Sequence, residues 1–470
     1  MILLRKINRT RNTMKIKSFL IQSDNIERDS FIWNMAGSMI MAFQSVIMLM
    51  ILTRVLGLIE AGVFTIAYAN ANLFLTIGKY GVRNFQVSDV TGQFTFREYY
   101  LSRIVTSAAM LSVSVLYVLY AGSKNGYSME KSMVIIWMCF FKVIDVLEDV
   151  YHGLYQQKGR LDVAGKALTL RLGITLLVFA VSLFAFKDLL LTLIIATVIT
   201  LALFFLFTKW SYEPFRQTSE KRASSSYVWR QLKICFPLFL GSFLSFYIGN
   251  APKYAIDRVL NDELQACYGF IAMPVFVIGL LNGFIFNPMV YKMSIMWNKG
   301  KKKEFMKLIW FQTGIVAGIT VVCMIGAYLL GIPVLSILYN TDLSAYKKEL
   351  LVLLLGGGFL ALSGLLATII TIIRFQDSLL AGYVAVAVLA CMLSGEAVER
   401  YLVMGAAGLY LVLMAVLCLI FTVLLIYGVR KKGKKDEKLY RSPIRNVRTE
   451  TSRSSYCVWP PDWKPVLYPA

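Results

Sequence analysis

The sequence predicts an all-α integral membrane protein of about twelve transmembrane helices in two parallel halves. Of its 470 residues, 57% are hydrophobic, and the mean hydropathy of +0.63 is too high for a soluble globular protein. Long apolar segments follow one another almost without pause, and lysine and arginine are concentrated on one of the two sides that these segments define. A short motif also repeats at equivalent places in the two halves.

Twelve apolar segments are long enough to cross a bilayer, which takes about 20 residues per helix. They are 31–53, 61–80, 101–121, 133–155, 167–186, 189–208, 233–256, 264–288, 309–330, 350–373, 379–394 and 403–428. The resulting division is a basic cytoplasmic arm (1–30), an N-terminal six-helix bundle (31–208), a cytoplasmic linker (209–232), a C-terminal six-helix bundle (233–428) and a cytoplasmic tail (429–470) that we expect to be disordered.

The distribution of positive charge predicts the orientation. With the amino terminus inside, the connections and helix ends on the cytoplasmic side hold 39 lysines and arginines, and those on the outer side hold 9. Lys142, in the middle of a segment, completes the 49. This asymmetry follows the positive-inside rule. It predicts an inner-membrane protein with both termini cytoplasmic, and it explains the formal net charge of +22 by contact with anionic lipid rather than nucleic acid.

An internal repeat divides the chain into the two halves. Arg54-Val-Leu at the end of the first segment is followed by a short polar bend and a helix that begins near Ala61 and Gly62. Arg258-Val-Leu at the end of the seventh segment is followed in the same way by Ala266. Both copies run from inside to outside, so the repeat is parallel, related by an axis along the membrane normal.

The seventh segment carries polar residues that a purely lipid-facing helix would not tolerate. They are Asn250, Pro252, Lys253, Asp257 and Arg258. Asn250, Lys253 and Asp257 share a helical face, and proline predicts a kink. Polar groups at membrane depth usually face a protein interior or water, so this helix is predicted to line a path through the membrane. The alternative is that Lys253 reaches the surface and that Asp257 and Arg258 belong to a loop.

The fourth segment carries a ladder of ionisable residues along one helical face. Its members are Lys142, Asp145, Glu148, Asp149 and His152, the only histidine. One interpretation is a relay for a proton or sodium ion that drives transport. The other is an internally neutralised ladder that holds helices in register. We expect no metal site, because one histidine with carboxylates on a single helix is a weak set of ligands.

Basic residues also cluster at the predicted inner mouth. Arg83, Arg103, Arg160 and Arg171 belong to this cluster. They either bind an anionic head group or act only as positive-inside flanks. The sequence contains no G-x-x-x-x-G-K-[ST] loop, which excludes ATP hydrolysis by that route. We expect a transporter that is not an enzyme.

Several segments resemble one transporter family. They are Thr53–Gly57, Ala61–Phe64, Arg83–Asp89, His152–Arg160 and Ala251–Tyr254. Together with the twelve spans, they are similar to the polysaccharide-biosynthesis flippases, the O-antigen and capsular repeat-unit translocases of the MATE-like MOP exporter superfamily. The likeness covers about residues 30–430. It implies a central cavity between the two bundles, and cationic residues facing it, which match Arg54, Lys253 and Arg258 here.

The resemblance implies transport of undecaprenyl-pyrophosphate-linked oligosaccharide from the inner to the outer leaflet, with a polymerase and glycosyltransferases as pathway partners. The alternatives are a cation-coupled drug exporter and a lipid II flippase. A membrane glycosyltransferase or polymerase is disfavoured, because such enzymes usually need a long outer loop or an acidic pair outside. The longest outer connection, 331–349, offers only Asp342 and Glu349.

Overall fold

The computed structural model describes residues 17–89, 92–216, 225–375 and 377–441. Within these ranges, the chain forms helices, turns and bends, and no strand. A short helix (17–21) comes first. It is followed by α1 (Ile26–Leu56), α2 (Leu58–Lys79), α3 (Val82–Ser88), α4 (Phe96–Asn125), α5 (Met129–Gln157), α6 (Leu161–Phe186), α7 (Leu189–Tyr212), α8 (Ser225–Val259), α9 (Asp262–Asn298), α10 (Lys302–Gly326), α11 (Ile332–Tyr339), α12 (Lys347–Ile372) and α13 (Asp377–Arg441).

Polar side chains cap several helices where the apolar segments begin. Asn25 before α1 and Asn261 before α9 each accept a hydrogen bond from the backbone amide three residues on, at 3.0 and 2.9 Å. Thr95 and Glu98 form a reciprocal capping box at the start of α4. Each cap satisfies an amide that has no partner within the helix and contributes about 1 kcal/mol. These caps therefore define where the helices start.

The predicted fold class is confirmed, because each of the twelve predicted segments falls on a helix. In the described part of the chain, ten helices are long and apolar enough by composition to cross a membrane. This number is lower than twelve for two reasons. α5 carries too many charged residues to qualify as an apolar span. The last two predicted segments lie in a single helix, α13, which is counted once.

α13 consists of two antiparallel helices that meet at Leu402. This residue has φ 50° and ψ −132° inside an otherwise helical segment. Tyr383 and Phe421 lie equally far from Leu402 along the chain, and their rings pack edge to face with centroids 5.2 Å apart. A Cβ on Gly405 would lie 1.9 Å from the Ala397 carbonyl oxygen. Along a continuous helix, Ala397 and Gly405 would be about 12 Å apart. Their close approach therefore shows that the chain reverses at Leu402.

The two halves, α1–α7 and α8–α13, contact each other along α2 and α9. A Cβ on Gly62 would lie 1.8 Å from the Asp262 carbonyl oxygen, and one on Gly269 would lie 2.9 Å from the Thr65 side chain. Only glycine allows backbones to approach this closely. The residue numbers at these contacts increase together along the two helices, so α2 and α9 are parallel. This arrangement is the one expected for a parallel repeat.

Two names describe the ends of the molecule. The Asp262 end carries the turn between α8 and α9, and the Lys299 end carries the turn between α9 and α10.

The helices extend beyond the predicted segment boundaries. α7 ends at Tyr212 and α8 begins at Ser225, so both enter the predicted linker 209–232. α13 continues to Arg441, past the predicted end of the C-terminal bundle. Hydropathy identifies only the apolar part of a helix, and polar residues extend the helix beyond the apolar layer. The remaining arm (1–16) and tail (442–470) lie outside the described residues.

The predicted orientation can be tested by cysteine labelling in a cysteine-free background. Ser123 and Asp342 are exposed at connections predicted to be outside, and Lys301 is exposed at one predicted to be cytoplasmic. We expect a membrane-impermeant maleimide to label Ser123→Cys and Asp342→Cys in intact cells. Lys301→Cys should react only after the cells are opened. A reversed result at one site would mean that a span has been misassigned.

Candidate functional site

A cavity of about 910 Å³ lies between the two halves. Its wall comes from α1 and α2 of the N-terminal half and from α8, α9, α10, α12 and α13 of the C-terminal half. Most lining residues are aromatic, aliphatic or glycine. Besides hydroxyl groups, its polar side chains are Asn72, Asn250, Lys253, Asn282 and Gln312. A mostly apolar wall with a few polar groups is typical of small-molecule binding sites.

Lys253 is the only charged residue on the cavity wall in the described part of the chain. Its side chain is half-buried, and it makes no ion pair or hydrogen bond with any described residue. α8 remains helical through Pro252 and so delivers Lys253 to the wall. Nearly one turn earlier, Asn250 also lines the cavity. The cavity therefore presents a positive charge without a counter-ion.

Arg54 and Arg258 do not line the cavity, which corrects the expectation of three cations facing it. The last lining residue of α1 is Leu49, and the last of α8 is Lys253. Each arginine lies five residues beyond the last lining residue of its helix. Five residues rotate a side chain about 140° around the helix axis, so both arginines point away from the cavity.

Arg54 and Arg258 contact other parts of the protein instead. The exposed Arg54 guanidinium donates to the carbonyl oxygens of Ile337 at 2.8 Å and Leu338 at 3.2 Å, near the end of α11. A cation there also interacts favourably with the helix dipole. Arg258 lies beside Gly395, where a Cβ would be 2.6 Å from its Nη2 atom. Arg54 thus links the N-terminal half to the C-terminal half.

Asp257 does not pair with Lys253, although the two are spaced i, i+4. Lys131 Nζ lies 2.9 Å from Asp257 Oδ1 and 2.6 Å from Asp262 Oδ1. The Tyr127 hydroxyl also donates to Asp257, and burial together with this carboxylate raises the pKa of Tyr127. Since Tyr127 and Lys131 belong to the N-terminal half, Asp257 joins the two halves at the Asp262 end. Lys253 is left unpaired as a result.

The carboxylates of the α5 ladder are neutralised by buried cations. Asp145 lies 3.4 Å from Lys142 and 2.7 Å from Arg171. The same arginine lies 2.7 Å from Glu148. These four side chains are buried. The pairing is that of a ladder that joins α5 to α6.

Asp149 is neutralised from two other helices. It accepts a hydrogen bond from Arg103, which is fully buried, and lies 3.3 Å from Arg83. Arg103 also donates to the Gly78 carbonyl at 3.1 Å. The Asp149 carboxylate therefore connects α5 with α3 and α4.

The arginines predicted at the inner mouth are thus engaged within the protein. Arg103 and Arg171 are at most 1% exposed and cannot reach an anionic head group, which corrects that interpretation of both. Arg160 pairs with Asp162 at 2.9 Å and donates to a backbone carbonyl. Arg103 and Arg171 are buried because the helices that carry them face the acidic side of α5.

His152 lies at the end of the ladder without completing a hydrogen-bonded chain. Its Nε2 atom is 3.8 Å from Glu148 Oε1. That nitrogen has no hydrogen-bond partner among the described residues.

The ladder contacts the cavity through Tyr68. Lys142 Nζ donates to the Tyr68 hydroxyl at 3.2 Å and to Gln44 Oε1 at 3.0 Å, and it lies 4.6 Å from the Tyr68 ring centroid. Tyr68 itself lines the cavity.

Sequence reasoning missed Tyr68, Asn282 and Gln312. A tyrosine in an apolar segment is usually a packing residue, so Tyr68 gave no signal. Asn282 and Gln312 gave one, since amides are unusual in otherwise apolar segments.

Several solved transporter structures have the same architecture. The lipid II flippase MurJ in an inward closed conformation superposes with a TM-score of 0.63 at 13% identity, covering 90% of this chain and 93% of that one. A MATE transporter in complex with MaL6 gives 0.57 at 12% identity, with coverages of 90% and 99%. A mutant of the Vibrio cholerae MATE transporter VcmN gives 0.52 at 11% identity, with coverages of 86% and 97%.

The chain has the fold of these transporters. No protein-family model matches the sequence, and no curated protein matches it. In this fold the cavity lies between the two halves, and Lys253 and the amides lie on its wall. What the cavity binds therefore has to be inferred from these side chains.

Proposed function

We propose that this protein is a flippase that moves undecaprenyl-pyrophosphate-linked oligosaccharide from the inner to the outer leaflet of the cytoplasmic membrane. The observation that carries the proposal is the unpaired Lys253 on the wall of a cavity between the halves of a transporter fold. The products would serve surface polysaccharide synthesis, with glycosyltransferases and a polymerase acting before and after transport.

The charge of the cavity favours an anionic cargo. Moving an unpaired ion through a low-dielectric region is very unfavourable. A unit charge 4 Å from a phosphate contributes about 4 kcal/mol at an effective dielectric constant of about 20. Lys253 supplies such a charge, and the described lining residues include no aspartate or glutamate. A cationic drug would find no counter-charge there, which argues against the drug-exporter alternative.

The volume of the cavity is compatible with a pyrophosphate and its attached sugars. About 910 Å³ lies at the upper end of the range of small-molecule sites, roughly 300–1,000 Å³. A lipid II flippase is the second candidate, because the fold of MurJ superposes over most of both chains. Lipid II carries the same kind of lipid pyrophosphate, so the two candidates differ in the attached sugars.

The function is tested with the purified full-length protein in proteoliposomes. An oligosaccharide-bearing polyprenyl pyrophosphate starts in one leaflet, and an added glycosidase digests only the sugar that reaches the other. We expect digestion to be several-fold faster than in protein-free vesicles, and a cationic dye should not be transported. Faster movement of lipid II than of the oligosaccharide lipid would favour the second candidate. Transport of the dye alone would refute the proposal.

Filling the cavity should stop transport without unfolding the protein. Gly279 lines the cavity, and nothing lies within 4 Å of the position that its Cβ would occupy. Gly279→Phe therefore places a ring in open space, and replacing a helical glycine does not weaken the helix. We expect transport to fall at least roughly tenfold with an unchanged melting temperature.

Gly314→Phe is the matched control for this plug. Gly314 also has nothing within 4 Å of its Cβ position, but it lies on α10 outside the cavity wall. Equal losses from the two variants would show that the cavity is not the transport path.

Energy coupling by a proton or sodium ion is also part of the proposal, with Asp145, Lys142 and Tyr68 as its route to the cavity. Asp145→Asn removes the titratable group while Glu148 still pairs with Arg171. We expect transport in proteoliposomes to lose its response to an imposed pH or sodium gradient. Protein abundance is measured alongside, and an unchanged response to both gradients would exclude this route.

A further inference from the structure

We propose that the cavity contains a second, uncharged subsite in which Asn282 and Gln312 bind the hydroxyl groups of a sugar. The inference rests on the proposed function, and it names the part of the cargo that this region of the wall recognises. Asn72 supplies a further acceptor.

The asparagines on the cavity wall share one hydrogen-bonding pattern. Asn72, Asn250 and Asn282 each donate Nδ2 to the carbonyl oxygen four residues earlier, at 2.9, 3.1 and 2.9 Å. This bond orients the amide and uses one of its two N–H donors, which leaves the other N–H and the Oδ1 atom for a ligand. The wall therefore offers several neutral acceptors, and a hydroxyl-rich ligand supplies matching donors.

Two of these amides are buried with unsatisfied atoms. Asn282 is 7% exposed and Gln312 is 1% exposed. Neither Asn282 Oδ1 nor Gln312 Nε2 has a hydrogen-bond partner among the described residues. Buried polar atoms are nearly always paired, so an acceptor and a donor without partners on a cavity wall indicate a ligand. A hydroxyl group can satisfy either atom, because it both donates and accepts.

The subsite lies far from Lys253. α8 finishes at the Asp262 end of the molecule, and Lys253 lies about 9 Å before that point at about 1.5 Å per residue. Asn282 lies roughly 30 Å along α9 from the same end. The cavity thus has a cationic region near the Asp262 end and a neutral region toward the Lys299 end. Phe286, four residues after Asn282, lies on the same helical face and lines the cavity, where it offers a flat apolar surface to a sugar ring.

The arrangement divides the cargo between two regions. A pyrophosphate needs the charge of Lys253, whereas the neutral amides provide hydrogen bonds without favouring an anion. A sugar chain attached to the pyrophosphate can extend from the first region into the second.

The test measures the binding of two lipids to the purified full-length protein in detergent. One is a polyprenyl pyrophosphate without sugar, and the other carries a disaccharide. We expect the wild type to bind the sugar-bearing lipid roughly tenfold more tightly, which corresponds to about 1.4 kcal/mol. In an Asn282→Leu, Gln312→Met double variant the ratio should fall to near one, while affinity for the sugar-free lipid stays unchanged.

Two controls separate binding from folding. Gln265 is also fully buried with both amide atoms unsatisfied among the described residues, but it does not line the cavity, so Gln265→Met should leave both affinities unchanged. The double variant should melt no lower than the wild type, because apolar isosteres remove unpaired polar groups. Lys253→Met should weaken the binding of both lipids and preserve the ratio of their affinities.

The outcomes distinguish the two proposals. If the sugar-bearing lipid keeps its advantage in the double variant, or the wild type shows no such advantage, the sugar subsite is refuted and the flippase proposal stands. If the double variant binds both lipids more weakly by the same factor, the amides do not recognise sugar. If neither lipid binds the wild type, both proposals fail.

Discussion

Lys253→Met is expected to abolish transport of the pyrophosphate-linked cargo, a loss of at least roughly 100-fold in rate. Lys253 is the only charge on the described cavity wall, and no described residue pairs with it. Its interaction with a phosphate in a low-dielectric cavity therefore has no substitute. Lys253→Arg should retain part of the activity, since it keeps the charge but changes its shape and hydration.

Arg54→Gln and Arg258→Gln are the matched controls for this prediction. Each removes one positive charge from the end of a corresponding helix, but outside the cavity wall. We expect both variants to transport at close to the wild-type rate in the proteoliposome assay. A stably folded Lys253→Met variant with full activity would refute the role of the cavity charge. An equal loss in all three variants would mean that net charge matters rather than position.

Arg171→Leu is expected to cause the largest loss of stability. Arg171 lies 2.7 Å from both Asp145 and Glu148 and is 1% exposed. Removing it leaves two buried carboxylates without this partner. Breaking a buried ion pair typically lowers the free energy of unfolding by about 3–5 kcal/mol. The measurement is the thermal unfolding midpoint of the detergent-purified protein.

Arg400→Leu provides the comparison. Arg400 also pairs with a glutamate, Glu396, at 2.7 Å, but both side chains are exposed. An exposed pair contributes at most about 1 kcal/mol, so its loss should barely change the midpoint. The two arginine–glutamate distances are equal, so the variants differ in burial and in the second carboxylate, Asp145, that Arg171 contacts. Equal midpoints would show that the α5 ladder does not stabilise the N-terminal half.

Hydropathy predicts the helices because burial in lipid requires long apolar segments. It accounts for all twelve helical segments, including the eleventh, whose helix continues to Leu402 through the charged pair Glu396 and Arg400. At the reversal, Leu402 itself is neither glycine nor proline, and Gly405 follows three residues later. The sequence therefore predicted two helices there without showing how little chain connects them.

The ionisable residues were recognised from the sequence, but most of their partners were not. Lys253 and Asp257 have the spacing of a helical pair, yet Asp257 pairs with Lys131 from the other half. Arg103 and Arg171 looked like flanking charges, and both pair with acids on α5. Spacing along one helix can be read directly, whereas contacts between helices depend on packing between distant parts of the chain.

The α5 ladder also has a mechanical consequence. Its buried ion pairs link α5 to α3, α4 and α6, whereas the pairs Lys301–Glu304 and Arg400–Glu396 of the C-terminal half lie on the surface. In the C-terminal half, a π-helical turn (Ala327–Gly331) follows α10, and open glycines on α9 and α12 face the cavity. The N-terminal half should therefore move as a rigid body. In the proposed transport cycle, bending of the C-terminal helices would supply most of the shape change that opens the cavity to one face of the membrane or the other.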